Sequence, residues 1–581
     1  MGNPKRLRHR ARGSATPGAA VRPSRASAIQ VSTVASGLFL VTATLGSCAK
    51  VQPAPVAECP DGQVLVNDSC VDEPDGSTPE PEPDPLDIQL TDGSLSYLDF
   101  DPDTTDYIVE VRHLLPRLTL GISPTDGVNV VWQAQGLTLD ADGEAVLEFF
   151  PGASDLLQVT SADNDVYEVT IERDASGEFE QVAFLKGPTA VDGEGFGSSV
   201  AASGDRVVVG GSDRVVVFRR DDDAWTRETE IGAPIGSSAG FGRSVAIDRE
   251  TLVVGEFGAA YVFTYDGSAW AEQEVLQPGG LDNSFGVAVA VHGDTVVVGA
   301  SSDSAIVGSS GAAYVFVRSG TQWTEQGLLK ASNAGTGDSF GASVAIDGDS
   351  IIVGARGEDS DSTRVDGAEG DNLATASDSG AAYLFARTAA DWSQTAYLKA
   401  TETILQGAFG WSVDIDGDRA VVGAPGGDDG HGEAHVFSAT DTTWAYAANL
   451  RTPNPGGDDV FGQSVAIDRG NVIIGAGGED SSATGVLPQA DDYDDDVADS
   501  GAGYVFVQEP GGTTGRFYLK ALNAGRSDYL GGEQGMLGTA VAISGDTVVV
   551  GAPGEDSDAT DVDGSGGDNS AAGSGAAYIF R

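Results

Sequence analysis

Basic side chains are scarce in this chain. It holds 32 Lys and Arg residues against 88 Asp and Glu residues, for a formal net charge of −56. Residues 1–47 carry seven of the basic residues and no acid, so the rest of the chain is more acidic still. Such a surface repels nucleic acid and anionic membranes. It is compatible with divalent cations, with basic partners, or with acidity that only keeps an exported protein soluble.

Histidine is also rare, with five residues in the chain, and this limits catalytic and metal chemistry. In the segment HGEAH at 431–435 the Glu is misplaced for the HExxH motif of zinc proteases. The segment is predicted to be a strand, where residues four apart lie about 13 Å apart, too far to share a metal. We therefore interpret His431 and His435 as incidental surface residues. With no GxSxG motif, and with acids too common to single out a catalytic pair, the sequence predicts no enzyme.

Only three cysteines are present, and the first of them follows an export signal. Residues 1–27 are basic, residues 28–45 are largely apolar, and small residues follow, which is the order of a secretory signal. The segment LGSC at 45–48 resembles a bacterial lipobox. This resemblance implies that residues 1–47 are a lipoprotein signal peptide and that Cys48 is the lipidated first residue of the mature protein. An uncleaved membrane anchor is the alternative.

Residues 48–85 are predicted to be a small hairpin followed by a linker. Cys59 and Cys70 are closely spaced in an exported chain, so we expect one disulfide between them. The segment DEPDGSTPEPEPDP at 72–85 is acidic and rich in proline, which predicts an extended spacer between the membrane and the later domains.

Residues 86–173 are predicted to form a separate β-sandwich, because stretches such as VNVVWQA at 128–134 alternate apolar and polar residues. The segment resembles the bacterial cadherin-like β-sandwich family. The matching residues are Leu98, Phe100, Asp101, Pro102, Tyr107, Gly152, Tyr167, Val169, Ile171 and Arg173. The resemblance implies that the four acids between residues 99 and 106 belong to a turn between strands rather than to a calcium site.

A pattern of four short β segments recurs seven times in residues 179–581. The first two segments are seen in FGASVAIDGDSIIVGA at 340–355, the third in GAAYVF at 311–316, and the fourth often carries Trp and ends in Leu-Lys-Ala. The copies begin at Phe196, Phe241, Phe285, Phe340, Phe409, Phe461 and Leu537. Four such segments predict an antiparallel meander, and a spacing of 44 to 76 residues is typical of propeller blades. We therefore expect an all-β protein with a seven-bladed β-propeller after the small β-sandwich.

The repeated motif FG…SVAI…VVVGAP resembles the FG-GAP repeat of integrin α-subunit propellers and of bacterial FG-GAP proteins. The resemblance covers residues 179–581. Integrin-type repeats often hold a calcium loop, DxDxDGxxD, between the first and second strands. Here that position holds only a Gly-Asp turn, with too few oxygens to enclose calcium.

The seventh copy ends after its third segment, at Arg581. Before the first copy, FEQVAFLK at 179–186 matches the missing fourth segment, as a comparison with RFYLK at 516–520 shows. We expect this N-terminal strand to complete the last blade and to remove an open edge.

Three long acidic loops, at 356–379, 477–500 and 554–574, join the second and third strands of blades four, six and seven, and each holds Glu-Asp-Ser near its start. The last loop also spaces four oxygen-bearing residues like a weakened calcium loop, and these are the candidate calcium ligands: Asp561, Asp563, Ser565 and Asn569. The alternative is a set of flexible acidic insertions that bind no specific ion. In a meander all three loops emerge on one face, which we predict to be the binding face.

The sequence thus predicts a non-enzymatic binding or adhesion protein, exported to the bacterial cell envelope at the outer membrane or cell surface. Its loops would recognise an extracellular protein or glycan, with calcium as a candidate cofactor. It would contact the membrane only through its lipid and would bind no nucleic acid. The alternatives are a propeller enzyme acting on polysaccharide, with His, Arg or Tyr lining the axial channel, and a structural envelope protein without a defined ligand.

Lipidation can be tested directly. We expect the exported protein to take up a palmitate analogue and the variant Cys48→Ser to lose that label. Label that persists in the variant contradicts the assignment of Cys48.

Overall fold

The computed structural model describes residues 63–66, 69–72, 86–91, 98, 100 and, with short gaps, 104–581. The gaps are 112–116, 124–127, 134, 140–142, 149–153, 162–164, 174–178, 222–223, 236–239, 279–283, 367–375, 390, 427–429, 441, 488–494, 510–511, 533–539 and 564–568. The regular elements described are all β-strands, so the predicted all-β class is confirmed. Within the same residues, no helix is long and apolar enough to cross a membrane.

The chain divides into two units, and in the first, Met1–Glu82, the structure describes one hairpin. Strands β1 (Gln63–Val66) and β2 (Ser69–Asp72) pair antiparallel. Cys70 lies in β2. Cys48 and Cys59 lie outside the described residues, so lipidation and the disulfide stay predictions.

In the second unit, residues 86–173 form two sheets around one core. Ile88 and Leu90 of the three-stranded sheet and Val169 and Ile171 of the five-stranded sheet are buried in the same apolar cluster. Their spacing of two residues follows from the alternation of side chains along a strand. The sheets have the orders β3-β5-β8 and β4-β10-β9-β6-β7. The strands are β3 (Asp87–Thr91), β4 (Asp106–Val111), β5 (Arg117–Ser123), β6 (Asn129–Trp132), β7 (Gln135–Leu137), β8 (Glu144–Glu148), β9 (Ser154–Thr160) and β10 (Val166–Arg173).

Residues 181–580 form seven antiparallel sheets, which we call blades one to seven. Blades one to three contain β12 (Ser199–Ser203), β13 (Arg206–Gly210), β14 (Arg214–Asp221), β15 (Ala224–Gly232), β16 (Ser244–Asp248), β17 (Thr251–Glu256), β18 (Ala259–Tyr265), β19 (Trp270–Leu276), β20 (Phe285–His292), β21 (Thr295–Ala300), β22 (Ala312–Ser319) and β23 (Gln322–Leu329). Blades four and five contain β24 (Phe340–Asp347), β25 (Ser350–Ala355), β26 (Ala381–Thr388), β27 (Asp391–Leu398), β28 (Ser412–Asp416), β29 (Arg419–Ala424), β30 (Glu433–Thr440) and β31 (Thr443–Leu450).

Blade six gains a fifth strand from its long loop. It contains β32 (Ser464–Asp468), β33 (Asn471–Ala476), β34 (Gly485–Leu487), β35 (Ala502–Glu509) and β36 (Gly512–Lys520). Strand β34 belongs to the loop and pairs with the outer strand β36. Blade seven contains β37 (Val541–Ser544), β38 (Thr547–Ala552), β39 (Ala576–Phe580) and β11 (Gln181–Leu185).

The first strands of the blades form a closed ring. Each first strand contacts the first strand of the next blade, and β37 of blade seven contacts β12 of blade one. The apolar clusters lie between neighbouring blades: Val297 and Val315 of blade three, for example, pack with Val353 and Tyr383 of blade four. Because both faces of a blade are covered, the second strands are buried almost throughout, and TVVVGA at Thr295–Ala300 is buried at every residue.

The predicted closure of the ring by the N-terminal strand is confirmed. Strand β11 pairs antiparallel with β39, placing Phe184 opposite Tyr578 and Leu185 opposite Ala577. A core cluster then joins β11 and β39 to blade one through Val207 and Val209. The last blade therefore presents no unpaired third strand.

The Phe-Gly corner that opens each repeat links the side-chain core to the backbone of the neighbouring blade. In blade four the Phe340 ring meets Tyr383 and Phe385 edge-on, with centroids 5.4 and 6.0 Å apart. In blade five a Cβ on Gly410 (φ 86°) would lie less than 3.0 Å from the Ala381 carbonyl oxygen of blade four. The Phe side chain therefore fills the core of its own blade, whereas the Gly lets the backbone of the preceding blade approach.

The position of the seventh corner differs from the sequence prediction. Leu530-Gly531, and not Leu537-Gly538, takes the place of Phe-Gly: Leu530 bridges to Gly501 and is fully buried, as the Phe residues of the other blades are. The Gly531 carbonyl accepts a hydrogen bond from the Ser464 hydroxyl at 2.8 Å. The sequence holds two Leu-Gly pairs before β37, at 530–531 and 537–538, and the repeat pattern pointed to the second.

Candidate functional site

One side of the ring carries both the links between blades and the loops between second and third strands; we call this side the loop face. Links and loops are joined by backbone hydrogen bonds. Gly337, in the link to blade four, donates to the Gly308 carbonyl in the loop of blade three at 3.0 Å. Gln406, in the next link, donates to the Ser377 carbonyl of the long loop of blade four at 2.9 Å. The long loops therefore lie on the loop face with the links.

The Glu-Asp-Ser motif of each long loop forms a buried ion pair. In blade four the Glu358 carboxylate lies 2.9 Å from the ammonium of Lys399, which follows β27, and both side chains are 2 % exposed. The other two long loops repeat this pair, as Glu479 with Lys520 at 2.8 Å and Glu555 with Lys186 at 2.6 Å. The Lys at the end of the fourth strand and the Glu of the Glu-Asp-Ser motif are thus the two partners of one interaction in each of these blades.

The buried ammonium is fully hydrogen-bonded by its own loop. Lys399 Nζ donates to the Ser360 carbonyl and to the Ser379 hydroxyl, both at 2.9 Å. Burial lowers the pKa of Lys399, and the Glu358 charge opposes that shift. A buried ion pair is tolerated only where its remaining donors and acceptors are satisfied, and this one meets that condition.

The same carboxylate ties the loop to the link that precedes the blade. Asn333 Nδ2 donates to Glu358 Oε1 at 2.8 Å, and Tyr383 Oη on the third strand donates to Asn333 Oδ1 at 2.6 Å. Blades six and seven repeat the chain with Asn454 and Tyr504 and with Asn523 and Tyr578. In each of these three blades, the hydrogen bonds and the ion pair therefore join the long loop, the preceding link, the third strand and the fourth strand.

The Asp of each motif closes the base of its loop. Asp359 Oδ1 accepts the Asp378 backbone N–H at 2.7 Å, and in the other loops Asp480 accepts the N–H of Asp499 and Asp556 accepts the N–H of Gly573. The carboxylate oxygens of the Glu and Asp in the Glu-Asp-Ser motifs therefore already have hydrogen-bond partners within the protein. They anchor the loops.

A third acid lies near each of these ion pairs, in the link that enters the blade. Asp338, Asp459 and Asp528 are buried, and each accepts a glycine N–H at 2.6 Å. Burial raises the pKa of Asp338 to about 6 and those of Asp459 and Asp528 to about 7, and the Glu and Asp of the motif raise each pKa further. These three carboxyls are therefore neutral at acidic pH.

The residues predicted to bind calcium have other partners where the structure describes them; Ser565 lies outside the described residues. Asp561 Oδ1 lies 3.0 Å from Arg227 Nη1 of blade one. Asp563 Oδ1 accepts the N–H of Phe184, in β11, at 3.0 Å, and Asn569 is exposed.

Blade four shows that this use of Asp563 is structural. There Asp366 Oδ1 accepts the N–H of Tyr397, which precedes Leu-Lys just as Phe184 does in β11. The two aspartates thus hold their loops to the outer strands. In the part of the chain that the structure describes, no three His, Cys, Asp or Glu residues come together to hold a metal. Residues 564–568 lie outside the described residues, so calcium binding by Asp561, Asp563, Ser565 and Asn569 stays a prediction.

The interpretation of the HGEAH segment is partly wrong, because His435 is completely buried. It takes the position that Tyr383 has in blade four, facing the core between blades. His435 Nε2 lies 3.1 Å from Glu433 Oε1, and Arg451 lies 2.6 Å from the same carboxylate. Burial acts to raise the pKa of Glu433, but hydrogen bonds from His435, Asn449 and Arg451 outweigh it and lower the pKa to about 2. Glu433 and Arg451 thus form an ion pair in blade five, and His435 hydrogen-bonds to the same carboxylate.

Exposed large apolar side chains gather on the loop face. Among the described residues of the blades and links, six of these lie in links or second-to-third-strand loops: Val191, Ile235, Phe257, Ile306, Leu405 and Leu522. Leu328, on the outer strand β23, is the seventh and lies elsewhere. Sequence analysis missed this group because single apolar residues in loops show no periodicity.

Comparison with known proteins agrees with this architecture. Three segments, residues 270–316, 323–385 and 392–437, match the family model of the FG-GAP repeat. Each begins in the fourth strand of one blade and ends in the third strand of the next, the same offset that leaves β11 to complete blade seven. The repeats and the sheets together indicate a β-propeller.

Two further comparisons add no functional information. No curated protein matches the chain. One solved chain, in a crystal structure of the mitotic checkpoint complex, is 13 % identical over 68 % of this chain and 92 % of its own length, with a TM-score of 0.38. A similarity this low supports no argument.

The buried ion pairs make a specific prediction about stability. Glu358→Gln leaves the Lys399 charge buried without its partner, which typically costs about 3–5 kcal/mol. We expect a lower melting temperature for the full chain, and partial recovery when Lys399→Met is added, because the unpaired charge is then removed. The exposed Glu402, on the same face, provides the control Glu402→Gln, which should melt like the wild type. A double variant that melts below Glu358→Gln contradicts this account of the pair.

Proposed function

We propose that the protein is an exported, lipid-anchored binding protein of the bacterial cell envelope. In this proposal Cys48 carries the lipid, the segment at 72–85 and the β-sandwich act as spacers, and a seven-bladed propeller presents its loop face to an extracellular protein or glycan. The observation that carries the proposal is the gathering of exposed apolar side chains on that face.

Exposed apolar side chains are costly when they are clustered. Monomeric soluble proteins rarely expose a large contiguous apolar patch, and such patches commonly mark interaction sites. In this chain the opposite side of the ring is different: its first-to-second-strand turns, such as those at Gly348 and Gly417, hold small and polar residues. The asymmetry favours recognition at the loop face over a purely structural role.

The anchored ends of the long loops support the same conclusion. The ion pairs centred on Glu358, Glu479 and Glu555 fix three loops to the strands beneath them. A surface ordered before binding loses less conformational entropy when a partner arrives. The loops thus have the property expected of a recognition surface on a rigid scaffold.

The proposal is tested by finding a partner and mapping it. An array of extracellular proteins and glycans would be probed with the full mature chain, and the dissociation constant of the strongest hit measured with Leu405→Ser and Leu522→Ser, singly and together. We expect the double variant to bind at least about tenfold more weakly, since burying a leucine contributes about 1.5–3 kcal/mol.

Leu328→Ser is the matched control, because Leu328 is 46 % exposed on an outer strand and Leu405 is 47 % exposed on the loop face. It should bind as the wild type does. The proposal is wrong if nothing on the array binds, or if Leu328→Ser weakens binding as much as the loop-face variants.

A further inference from the structure

Two arginine–aromatic pairs lie around the axial opening on the loop face. The residue after Phe-Gly and the residue after the second strand stand at the loop-face ends of the two innermost strands of a blade. In blade two these are Arg243 and Phe257. The second pair is formed by two neighbouring blades. Arg356 follows the second strand of blade four, and Trp411 precedes the first strand of blade five. We call these four residues the axial arc.

Each arginine of the axial arc stacks on its aromatic neighbour. The Arg243 guanidinium carbon lies 3.8 Å from the Phe257 ring centroid, and that of Arg356 lies 4.4 Å from the Trp411 ring. Blade three, between the two pairs, has Val287 at the equivalent position after Phe-Gly and a serine after its second strand. The arc therefore has a cation and a ring at each end, with smaller side chains between.

Neither guanidinium has a carboxylate within 4.0 Å among the described residues, and only Asp378 acts on Arg356 from a longer distance. This is unusual in a chain with 88 acids, where other partly buried arginines are paired. Arg206 lies 2.9 Å from Glu228, and Arg220 lies 3.3 Å from Asp546. Both side chains are half-buried, and this burial lowers the pKa of Arg243 and of Arg356.

Each pair also contains a buried donor that no described residue accepts from. These donors are Nε of Arg243 and Nε1 of Trp411. A buried donor without an acceptor destabilises a protein, because the hydrogen bond that the donor made to water is not replaced. Two half-buried guanidinium groups with no carboxylate within 4.0 Å, at the loop-face ends of the inner strands, fit a ligand that brings negative charge and oxygen acceptors.

We propose that the axial arc binds a carboxylate-bearing sugar of an acidic glycan. A guanidinium holds a carboxylate through two parallel N–H bonds, and the adjacent rings offer flat faces to the C–H groups of a sugar ring. The net charge of −56 disfavours dense polyanions such as nucleic acids and highly sulfated chains. It favours a ligand whose charges are few and carried on a neutral, hydroxyl-rich scaffold.

This inference rests on the proposed binding function of the loop face and specifies its ligand, but it is tested separately. Trimers of galacturonate, glucuronate and mannuronate, and their methyl esters, would be titrated into the full mature chain by calorimetry. At least one acid trimer should bind and its methyl ester should bind at least about tenfold more weakly.

Variants then locate the site. Arg243→Gln and Arg356→Gln should each weaken binding about tenfold or more. Arg356→Lys should also weaken it, because lysine keeps the charge and the contact with Trp411 but loses the fork. Arg364→Gln, at an exposed arginine in the long loop of blade four, should change nothing. Melting temperatures equal to that of the wild type would show that the variants are folded.

Several results would overturn the inference: no binding of any acid trimer, equal binding of esters and acids, or binding that Arg364→Gln weakens and the arc variants do not. A partner found on the array that depends on Leu405 but is indifferent to Arg243 and Arg356 would leave the loop-face function standing and reject the axial arc. If trimer binding depends on the axial arc but the partner found on the array binds Leu405→Ser and Leu522→Ser as it binds the wild type, the axial arc stands and the proposed function of the apolar side chains on the loop face is rejected.

Discussion

The structure depends on backbone contact between neighbouring blades. At the end of a second strand Gly354 lies against the Gly410 backbone of the next blade, where a Cβ on Gly354 would lie less than 3.0 Å from the Gly410 carbonyl oxygen. The Ser343 hydroxyl donates to that same carbonyl at 2.9 Å. Blades one, two, five and six repeat the serine bond to the next blade. The Phe-Gly-x-Ser and Val-Gly-Ala motifs are therefore two sides of one contact, and their sequence is restricted because no side chain fits between the backbones.

The contacts between blades restrict the sequence near the centre of the ring, whereas the loops on the loop face can differ in sequence. The long loops differ in sequence beyond their first residues, yet three of them begin with the same buried pair, exemplified by Glu358 and Lys399. Burying a charge is costly unless it is paired and hydrogen-bonded, so these residues cannot vary independently of one another. The anchored loops, the apolar side chains between them and the arginines around the axis together make the loop face the part of the molecule suited to recognition.

The repeats, the strands and the closure by β11 could be predicted from sequence because each follows from a local pattern. The pair of Glu358 and Lys399 could not, since its members lie 41 residues apart and neither motif alone indicates burial. The spacing of oxygen-bearing residues predicts calcium at Asp561 and Asp563, and this stays a prediction; spacing alone could not show that Asp563 also accepts the N–H of Phe184. His435 was predicted to lie on the surface because it is polar. Its burial follows from its position in the repeat, which is equivalent to that of Tyr383.

The backbone contact between blades is tested most directly by a matched pair of glycine substitutions. Gly410 (φ 86°) and Gly417 (φ 56°) both have positive φ, but a Cβ on Gly410 would collide with blade four whereas one on Gly417 would meet nothing within 4 Å. Gly410→Ala and Gly417→Ala share the cost of the left-handed backbone, about 1 kcal/mol. We predict that Gly410→Ala melts well below Gly417→Ala in thermal unfolding of the full chain. Equal melting temperatures for the two variants would contradict the claim that glycine is required there by contact between blades.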